Sequence, residues 1–440
     1  MNKINSNEYN YVKKVFSNSS WLILSRFLNI FLGVLVSVFL NRYLGPEQKG
    51  VIAQASAISG FFSFIATFGL TDIVISQFSS EKKSSASTAI SAFVIMFSGS
   101  IIALILALFT AILLNVSSEI FLFVFINSLV FLPQFCSIYE YWFYCNSNSK
   151  RYAIYQTFLH FFFSIARLVG IYYEKELIFF VLLTAIESIL ILFLSYFCYR
   201  INGIFFQGRY EFIFTKTKKM LQQAIPMVIM GLATTVYMKV DQIMVGYFIG
   251  NIDLGLYSLA VNLCEYWYFI PTIIHSSFLP VLSEKFSNND NYYEHLQKFA
   301  FVMSGIGYLA ACGTFIFGKY FVILLYGKDF SETSDILIIY IWSGLFTCVG
   351  FSVYSYFILI KKTKYIMVIN IFGAILNFFL NIIFINIYGG KGAAIATLTE
   401  YVLITFLPMF FLWKKYSKIF LIELLALFPF LIFIKKRIRL

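Results

Sequence analysis

The chain is written in long apolar blocks separated by short polar joints. Apolar runs fall at about residues 20–41, 51–78, 88–113, 120–144, 152–173 and 177–199. A second set follows at about 221–248, 255–279, 299–318, 335–360, 365–388 and 392–413. A helix needs roughly 20 apolar residues to cross a bilayer, and every run is long enough. The pattern predicts an all-α polytopic membrane protein with about twelve transmembrane helices. A thirteenth stretch, from Ile419 to Ile434, holds only 16 residues and contains Glu423 and Pro429.

The joints differ in charge from one side to the other. Counted alternately from a cytoplasmic N-terminus, one side holds twenty Lys and Arg. The other side holds six: Arg42, Lys49, Lys175, Lys319, Lys328 and Lys391. Basic residues stay in the cytoplasm, so this asymmetry fixes the expected orientation. If the thirteenth stretch also crossed, Lys435, Lys436, Arg437 and Arg439 would lie outside. An interfacial or re-entrant tail is therefore expected, with both termini in the cytoplasm.

Composition narrows the class. Of 440 residues, 60% are hydrophobic and 12% charged, and the mean hydropathy is +0.82. A soluble domain carries about 25% charged residues to wet its surface. With half that share the chain cannot cover its own core, and lipid must be its main solvent. The net charge of +12 resides mostly in the joints, so it sets orientation and gives no reason to expect a nucleic-acid partner. Cys136, Cys145, Cys198, Cys264, Cys312 and Cys348 are scattered without CxxC spacing. They read as small hydrophobes, not as a disulfide framework or metal site. GxxxxGK[ST], HExxH and GxSxG signatures are missing, and no joint is long enough for a folded catalytic domain. No catalytic residue, metal ligand or resident cofactor is expected.

The chain also repeats itself. Tyr43-Leu44-Gly45, with Gly50 five residues on, is echoed by Phe248-Ile249-Gly250, with Gly255 five residues on. Ser80-Glu81-Lys82 is echoed by Ser283-Glu284-Lys285. The offset is close to 205 throughout. Six helices per repeat is an even number, so both halves enter the membrane in the same sense, as in parallel transporter repeats. Two six-helix bundles are expected, at residues 1–210 and 211–418, followed by a hydrophobic and basic tail at 419–440.

An ionisable side chain at membrane depth costs about 2.5–3.5 kcal/mol on insertion scales and marks a place to look for function. The cations are Arg26, Arg167 and Lys239; the acids include Asp72, Glu140, Glu187, Asp241, Glu265 and Glu400. Arg26 and Arg167 lie near helix ends, where snorkelling to the headgroups is as good a reading as facing a cavity. Lys239 is deeper, so its alternatives are substrate binding or a structural ion pair. Asp241 is two residues away and points elsewhere on a regular helix, although Pro226 upstream can bend that helix. Glu265 sits among Tyr266, Trp267 and Tyr268, in a cavity or at a helix contact. Asp72 and Glu140 approach the cytoplasmic face, where solvation is cheap. A buried carboxylate can carry a proton, which makes Glu187 and Glu400 candidates for ion coupling with Asp241 and Glu265. His160 and His275 read as packing groups.

Several stretches carry a family resemblance. Leu40-Asn41-Arg42-Tyr43-Leu44-Gly45-Pro46-Glu47-Gln48-Lys49-Gly50 resembles the first outer loop of polysaccharide flippases. Phe68-Gly69-Leu70 resembles that family's glycine step in helix 2. Ala224-Ile225-Pro226, Lys239-Val240-Asp241-Gln242-Ile243-Met244, Gly255-Leu256-Tyr257-Ser258-Leu259-Ala260 and Leu325-Tyr326-Gly327-Lys328-Asp329-Phe330 follow in the family's order. The chain is thus similar to Wzx-type O-antigen flippases, in the superfamily that also holds MATE drug exporters and lipid II flippases. The resemblance implies a central cavity between the bundles and alternating access. It also implies an undecaprenyl-diphosphate-linked oligosaccharide of lipopolysaccharide or other polysaccharide biosynthesis as substrate. Coupling to H+ or Na+, and a polysaccharide polymerase and chain-length regulator as partners, belong to the same expectation. The positions that match the motifs include Lys239 and Asp241; the roles of Arg26 and Arg167 rest on their charge alone. A MATE-like exporter of cations, which would favour buried acids, and an O-antigen polymerase or ligase are the alternatives.

Overall fold

The computed structural model describes residues 6–146, 149–203, 205–288 and 291–429. Among them the chain is helical throughout, with no strand. The order is α1 (Ser6–Phe61), α2 (Ser63–Thr67), α3 (Thr71–Ser80), α4 (Ser85–Leu113), α5 (Ser118–Leu129), α6 (Ser137–Cys145) and α7 (Ser149–Tyr172). Then follow α8 (Leu177–Asn202), α9 (Phe214–Phe248), α10 (Asn251–Trp267), α11 (Phe269–Ser287), α12 (Tyr292–Tyr326), α13 (Ser331–Leu359) and α14 (Thr363–Leu427).

Among the described residues nine helical segments are long and apolar enough to cross a membrane. Two of them hold two crossings each. Leu24–Ser80 is broken at Gly45, and Thr363–Met409 at Gly389, both at positive φ. The pair α10 and α11 bends at Tyr268 and supplies one more crossing, which restores the twelve read from hydropathy. The second crossing is itself interrupted, because Phe68 and Gly69 are both left-handed, with φ of 52° and 60°.

Side chains are sorted by size as lipid demands. The buried face of α4 is built from Ser85, Ala86, Ser91, Ala92, Gly99, Ala103, Ala107 and Ala111. Its exposed face carries Phe93, Phe97, Ile101, Ile105 and Phe109. Small residues let helix backbones approach, and lipid tails accept the bulky apolar ones. Gly99 takes this furthest: a Cβ there would lie 2.4 Å from the Ile65 carbonyl oxygen of α2.

The chain divides into two compact units. The first comprises Met1–Leu44 and Gln54–Thr235; the second comprises Gly45–Ala53 and Val236–Leu440. In the first unit the segment after α8 is tied to the start of α4. Gln207 N donates to Ser85 Oγ at 2.7 Å, and Ala86 N donates to the Gln207 carbonyl at 3.0 Å. Lys216 Nζ lies 3.1 Å from Glu81 Oε2. That hydrogen bond holds the Glu81 carboxyl below its usual range. The clasp is therefore present at neutral pH and lost as the medium falls below the ordinary carboxylate range. In the second unit the last stretch of α14 packs inward: Ile419, Phe420, Ile422 and Leu425–Leu427 are buried against α12 and α13.

The repeated glycine motif folds back on itself in the second unit. A Cβ on Gly50 would lie 1.7 Å from the Asn251 carbonyl oxygen; one on Gly255 would lie 1.9 Å from that of Pro46. Asn251 and Gly255 are the repeat equivalents of Pro46 and Gly50, so each copy receives the other's backbone at the same two positions. Gly45 and Gly250, which open the two copies, share an extended ψ with φ of 72° and 124°. Only glycine adopts that conformation readily. Gly50→Ala and Gly255→Ala are each expected to destabilise the protein by about 1–3 kcal/mol or more. Gly33→Ala, where nothing lies within 4 Å, is expected to be neutral in the same detergent melting measurement.

Candidate functional site

Charged groups inside the helices fall into two settings. The first lies between α7 and α8 in the first unit. Glu187 is buried, and its carboxylate is held from both sides, by Arg167 Nη2 and by His160 Nδ1. The same guanidinium reaches Thr184 Oγ1 at 3.3 Å. Arg167 is three-residue-periodic with neither Glu187 nor Thr184 in sequence; the pairing comes from helix packing. Here each charge has its complement, and the arrangement is self-sufficient.

The second setting, in the second unit, is not. Asp241 is buried and satisfied: Oδ1 accepts from Gln242 N at 2.7 Å, and Oδ2 accepts from the Tyr257 hydroxyl. This carboxylate is engaged with α10, as the i,i+2 geometry required, and stays within electrostatic range of Lys239 without pairing with it. Lys239 is half-buried on α9 and lies within electrostatic range of Lys49. Glu265, half-buried on α10, lies within the same range of Lys49. Among the described residues none of Lys49, Lys239 and Glu265 has an ion-pair partner within 4 Å. Two ammonium groups thus lie near each other with two carboxylates, Glu265 and Asp241, in electrostatic range and neither in direct contact.

Aromatic hydroxyls gather in the same unit, and one of them, Tyr340, lies within electrostatic range of Asp241. Tyr237, Tyr268, Tyr340, Tyr354 and Tyr401 are all half-buried. Tyr237 and Tyr401 meet edge to face at 5.6 Å, and Tyr237 donates to Glu400 Oε2 at 3.1 Å. Glu400 is fully buried, and its other oxygen has no hydrogen-bond partner. It lies over bare Gly373, whose Cβ would come within 2.6 Å of Glu400 Oε1. Four and eight residues beyond Gly373 stand Asn377 and Asn381, both buried, and one turn before Glu400 stands Thr397. Asn381 Oδ1 and Thr397 Oγ1 also lack partners. Three unsatisfied oxygens in an apolar interior are costly unless something donates to them.

Sequence reasoning placed Lys239, Asp241, Glu265, Glu187, Glu400 and Arg167 inside the membrane, and the structure holds all of them within helices. Arg26 lies apart from both settings, on the exposed face of α1. Lys49 was assigned to an outer joint, and its approach to Lys239 was missed. The signal was present in the repeat: two G-x4-G copies that pack reciprocally bring residues 46–50 against the start of α10. Asn377, Asn381 and Thr397 were missed because uncharged polar residues do not stand out in an apolar run. Among the described residues no three His, Cys, Asp or Glu side chains converge on a metal site.

Fold and site together define an all-α polytopic membrane protein that keeps cationic and polar groups without direct partners inside its helices. The pattern of the family described as "Polysaccharide biosynthesis protein" matches residues 38–335, and the chain belongs to that family. Among solved structures, the lipid II flippase MurJ in an inward closed conformation has a TM-score of 0.73 at 19% identity. That match covers 92% of this chain and 90% of MurJ. An inward-facing multidrug resistance MATE transporter of the MOP superfamily has a TM-score of 0.68 at 13% identity, covering 90% of this chain and 95% of its own. A MOP superfamily transporter from Pyrococcus furiosus, described by the reverse polarity of its binding pocket, has a TM-score of 0.56 at 13% identity. It is covered over 96% of its length, and this chain over 92%. No curated protein matches the sequence. The chain thus shares the fold of these transporters.

Glu187→Gln should leave the Arg167 guanidinium buried without its counter-charge, at a cost of about 3–5 kcal/mol. Thermal unfolding of the purified protein checks this. The Arg167→Leu/Glu187→Leu double variant is expected to recover most of the loss, since replacing both members of a buried pair is often neutral.

Proposed function

We propose that the chain is a flippase for a polyprenyl-diphosphate-linked oligosaccharide, working by alternating access in the bacterial inner membrane. One observation carries the reading: Lys49 and Lys239, two ammonium groups in one low-dielectric spot, without ion pairs, in the unit that gathers the half-buried tyrosines. Like charges so placed repel each other, and an anion between them relieves both. A diphosphate supplies that anion, with charge-assisted hydrogen bonds of roughly twice the ordinary strength. Tyrosine faces and hydroxyls suit sugars, while a polyprenyl tail stays in lipid. Membership of a polysaccharide biosynthesis family supports the saccharide, and the fold shared with a lipid II flippase supports the lipid carrier. Arg26, exposed on α1, is the remaining cation, available to meet the headgroup.

The neighbour with reversed pocket polarity supports the view that this fold hosts pockets of either sign, so pocket charge decides the cargo. Two neighbouring lysines without a direct ion pair favour an anion over the organic cations of a drug exporter. We assign the chain no catalytic residue. The buried Glu400 Oε1, which has no hydrogen-bond partner, offers a hard oxygen donor carrying at most one negative charge. That chemistry suits a coupling proton or sodium ion better than a divalent metal. Asp241 and Glu187 are occupied by neutral and cationic partners, so Glu400 is the stronger coupling candidate.

Transport of a fluorescent polyprenyl-diphosphate oligosaccharide in proteoliposomes tests the reading. Lys239→Ala and Lys49→Ala are each expected to lower transport about tenfold or more, the loss of one charge-assisted contact, with protein level unchanged. Full transport in both variants would defeat the cationic site, and uptake of cationic dyes that depends on Glu265 would favour the drug exporter. Glu400→Gln is expected to retain substrate binding and to lose the response to an imposed sodium or proton gradient.

A further inference from the structure

A separate cavity of about 270 Å³ opens in the first unit. Its walls come from α4 and α8, and its floor from Phe135, Ile138 and Tyr139 at the start of α6. The segment after α8 closes one end with Phe206 and Tyr210. Arg200, on the last turn of α8, is exposed into it. No Asp or Glu lines the cavity, and among the described residues Arg200 has no ion-pair partner within 4 Å. The neighbouring acid on that segment, Glu211, is already paired with Arg209 at 3.6 Å.

The polar wall is rigid. Tyr139 contacts Tyr196 at 5.1 Å, Tyr199 at 4.8 Å and Phe206 at 5.8 Å between ring centres. Tyr199 has its hydroxyl committed, accepting from Phe206 N at 2.9 Å. The Tyr210 hydroxyl lies 3.4 Å from that of Tyr199, so Tyr139 and Tyr196 offer theirs beside the guanidinium, and little ordering remains to be done on binding. An ordinary aromatic belt with a snorkelling arginine would present these groups on an open surface. Here they line a walled cavity whose closing segment is itself hydrogen-bonded to α4 and α8.

The apolar wall points to what the ligand carries besides its charge. Phe93 packs edge to face on Phe135 at 4.7 Å and stacks on Phe97 at 5.7 Å. Phe93, Phe97, Ile101 and Ile105 then continue along α4 at four-residue spacing, all exposed. Across the groove α8 exposes Phe193, Leu190 and Ile186. Two apolar ridges thus lead out of the cavity toward the membrane interior. A free anion has no use for them; an acyl chain does.

We infer that this cavity binds an anionic glycerophospholipid from the surrounding leaflet. Its phosphodiester is taken by the Arg200 guanidinium, which matches phosphate geometry in two-pronged contacts, and by the tyrosine hydroxyls. An acyl chain lies along the α4 ridge. Because Phe206 and Tyr210 belong to the segment that leads into α9, an occupied cavity holds that segment down, and the lipid stabilises the first unit by mass action.

The test uses the full chain, purified in a neutral detergent and stripped of lipid, with phosphatidylglycerol as the probe. Native mass spectrometry is expected to show one phosphatidylglycerol retained in preference to phosphatidylcholine, with a rise in melting temperature. Arg200→Gln is expected to weaken that binding about tenfold, and Tyr139→Phe and Tyr196→Phe to weaken it less. Arg200 is exposed, so its variant should fold; Phe97→Ser probes the acyl ridge independently and is also expected to reduce retention. Equal retention of the two lipids, or unaltered phosphatidylglycerol binding in Arg200→Gln, would overturn the site. Displacement of the lipid by millimolar inorganic phosphate would overturn the assignment of its source.

Discussion

Lipid offers no hydrogen bonds, so every polar group carried into the span must find its partner within the chain. That one constraint organises this molecule. It puts small residues where helices meet, because close backbones let the polar groups that remain reach each other. It explains why Glu187 is clamped between Arg167 and His160, and why Asp241 is held by Tyr257 and a backbone amide. Against this background an unpartnered charge is informative. Lys49 and Lys239 violate the rule, and so do the bare oxygens of Asn381, Thr397 and Glu400. The first unit has bare oxygens too, on Asn29, Gln77 and Ser128, but its buried Glu187 is fully paired.

Much of the fold was legible before any coordinates. Hydropathy located the crossings because lipid imposes a length and forbids charge. The helix breaks were partly legible: Gly45 before Pro46 and the Phe68-Gly69 step were visible as motifs, and both turned out to need left-handed backbone. The bend at Tyr268 and the buried course of residues 419–427 carry no comparable punctuation. Their positions depend on what packs beside them, which a single chain does not spell out. Site residues followed the same division. Charged side chains announced themselves, but their partners did not, since Arg167 finds Glu187 only once α7 lies on α8. Lys49 was hidden by its address: a lysine next to a turn looks solvated until the glycine beside it brings a second helix within backbone contact.

The internal duplication gains weight from how the copies meet. Shared motifs at one offset are a statement about ancestry or convergence. Reciprocal contacts at matching positions, with Pro46 on Gly255 and Asn251 on Gly50, are a statement about geometry, namely a local two-fold relation between the motifs. The glycines are retained in both copies for the same reason, since neither site has room for a methyl group. The same junction places Lys49, so the lysine pair and the seam depend on one another. A change that opens the seam moves a charge as well as a helix.

The inside-out sorting of α4 bears on how this sequence can drift over time. In a water-soluble protein the interior resists substitution and the surface is permissive toward polar residues. Here the outward positions, Phe93, Phe97, Ile101, Ile105 and Phe109, face a liquid that asks only for oiliness, so one bulky aliphatic or aromatic group serves as well as another. The inward alanines, serines and glycine have almost no admissible replacements, because any enlargement pushes two helices apart. Descendants of this chain should therefore look most alike at their smallest, least conspicuous letters, and differ most among the large ones that catch the eye.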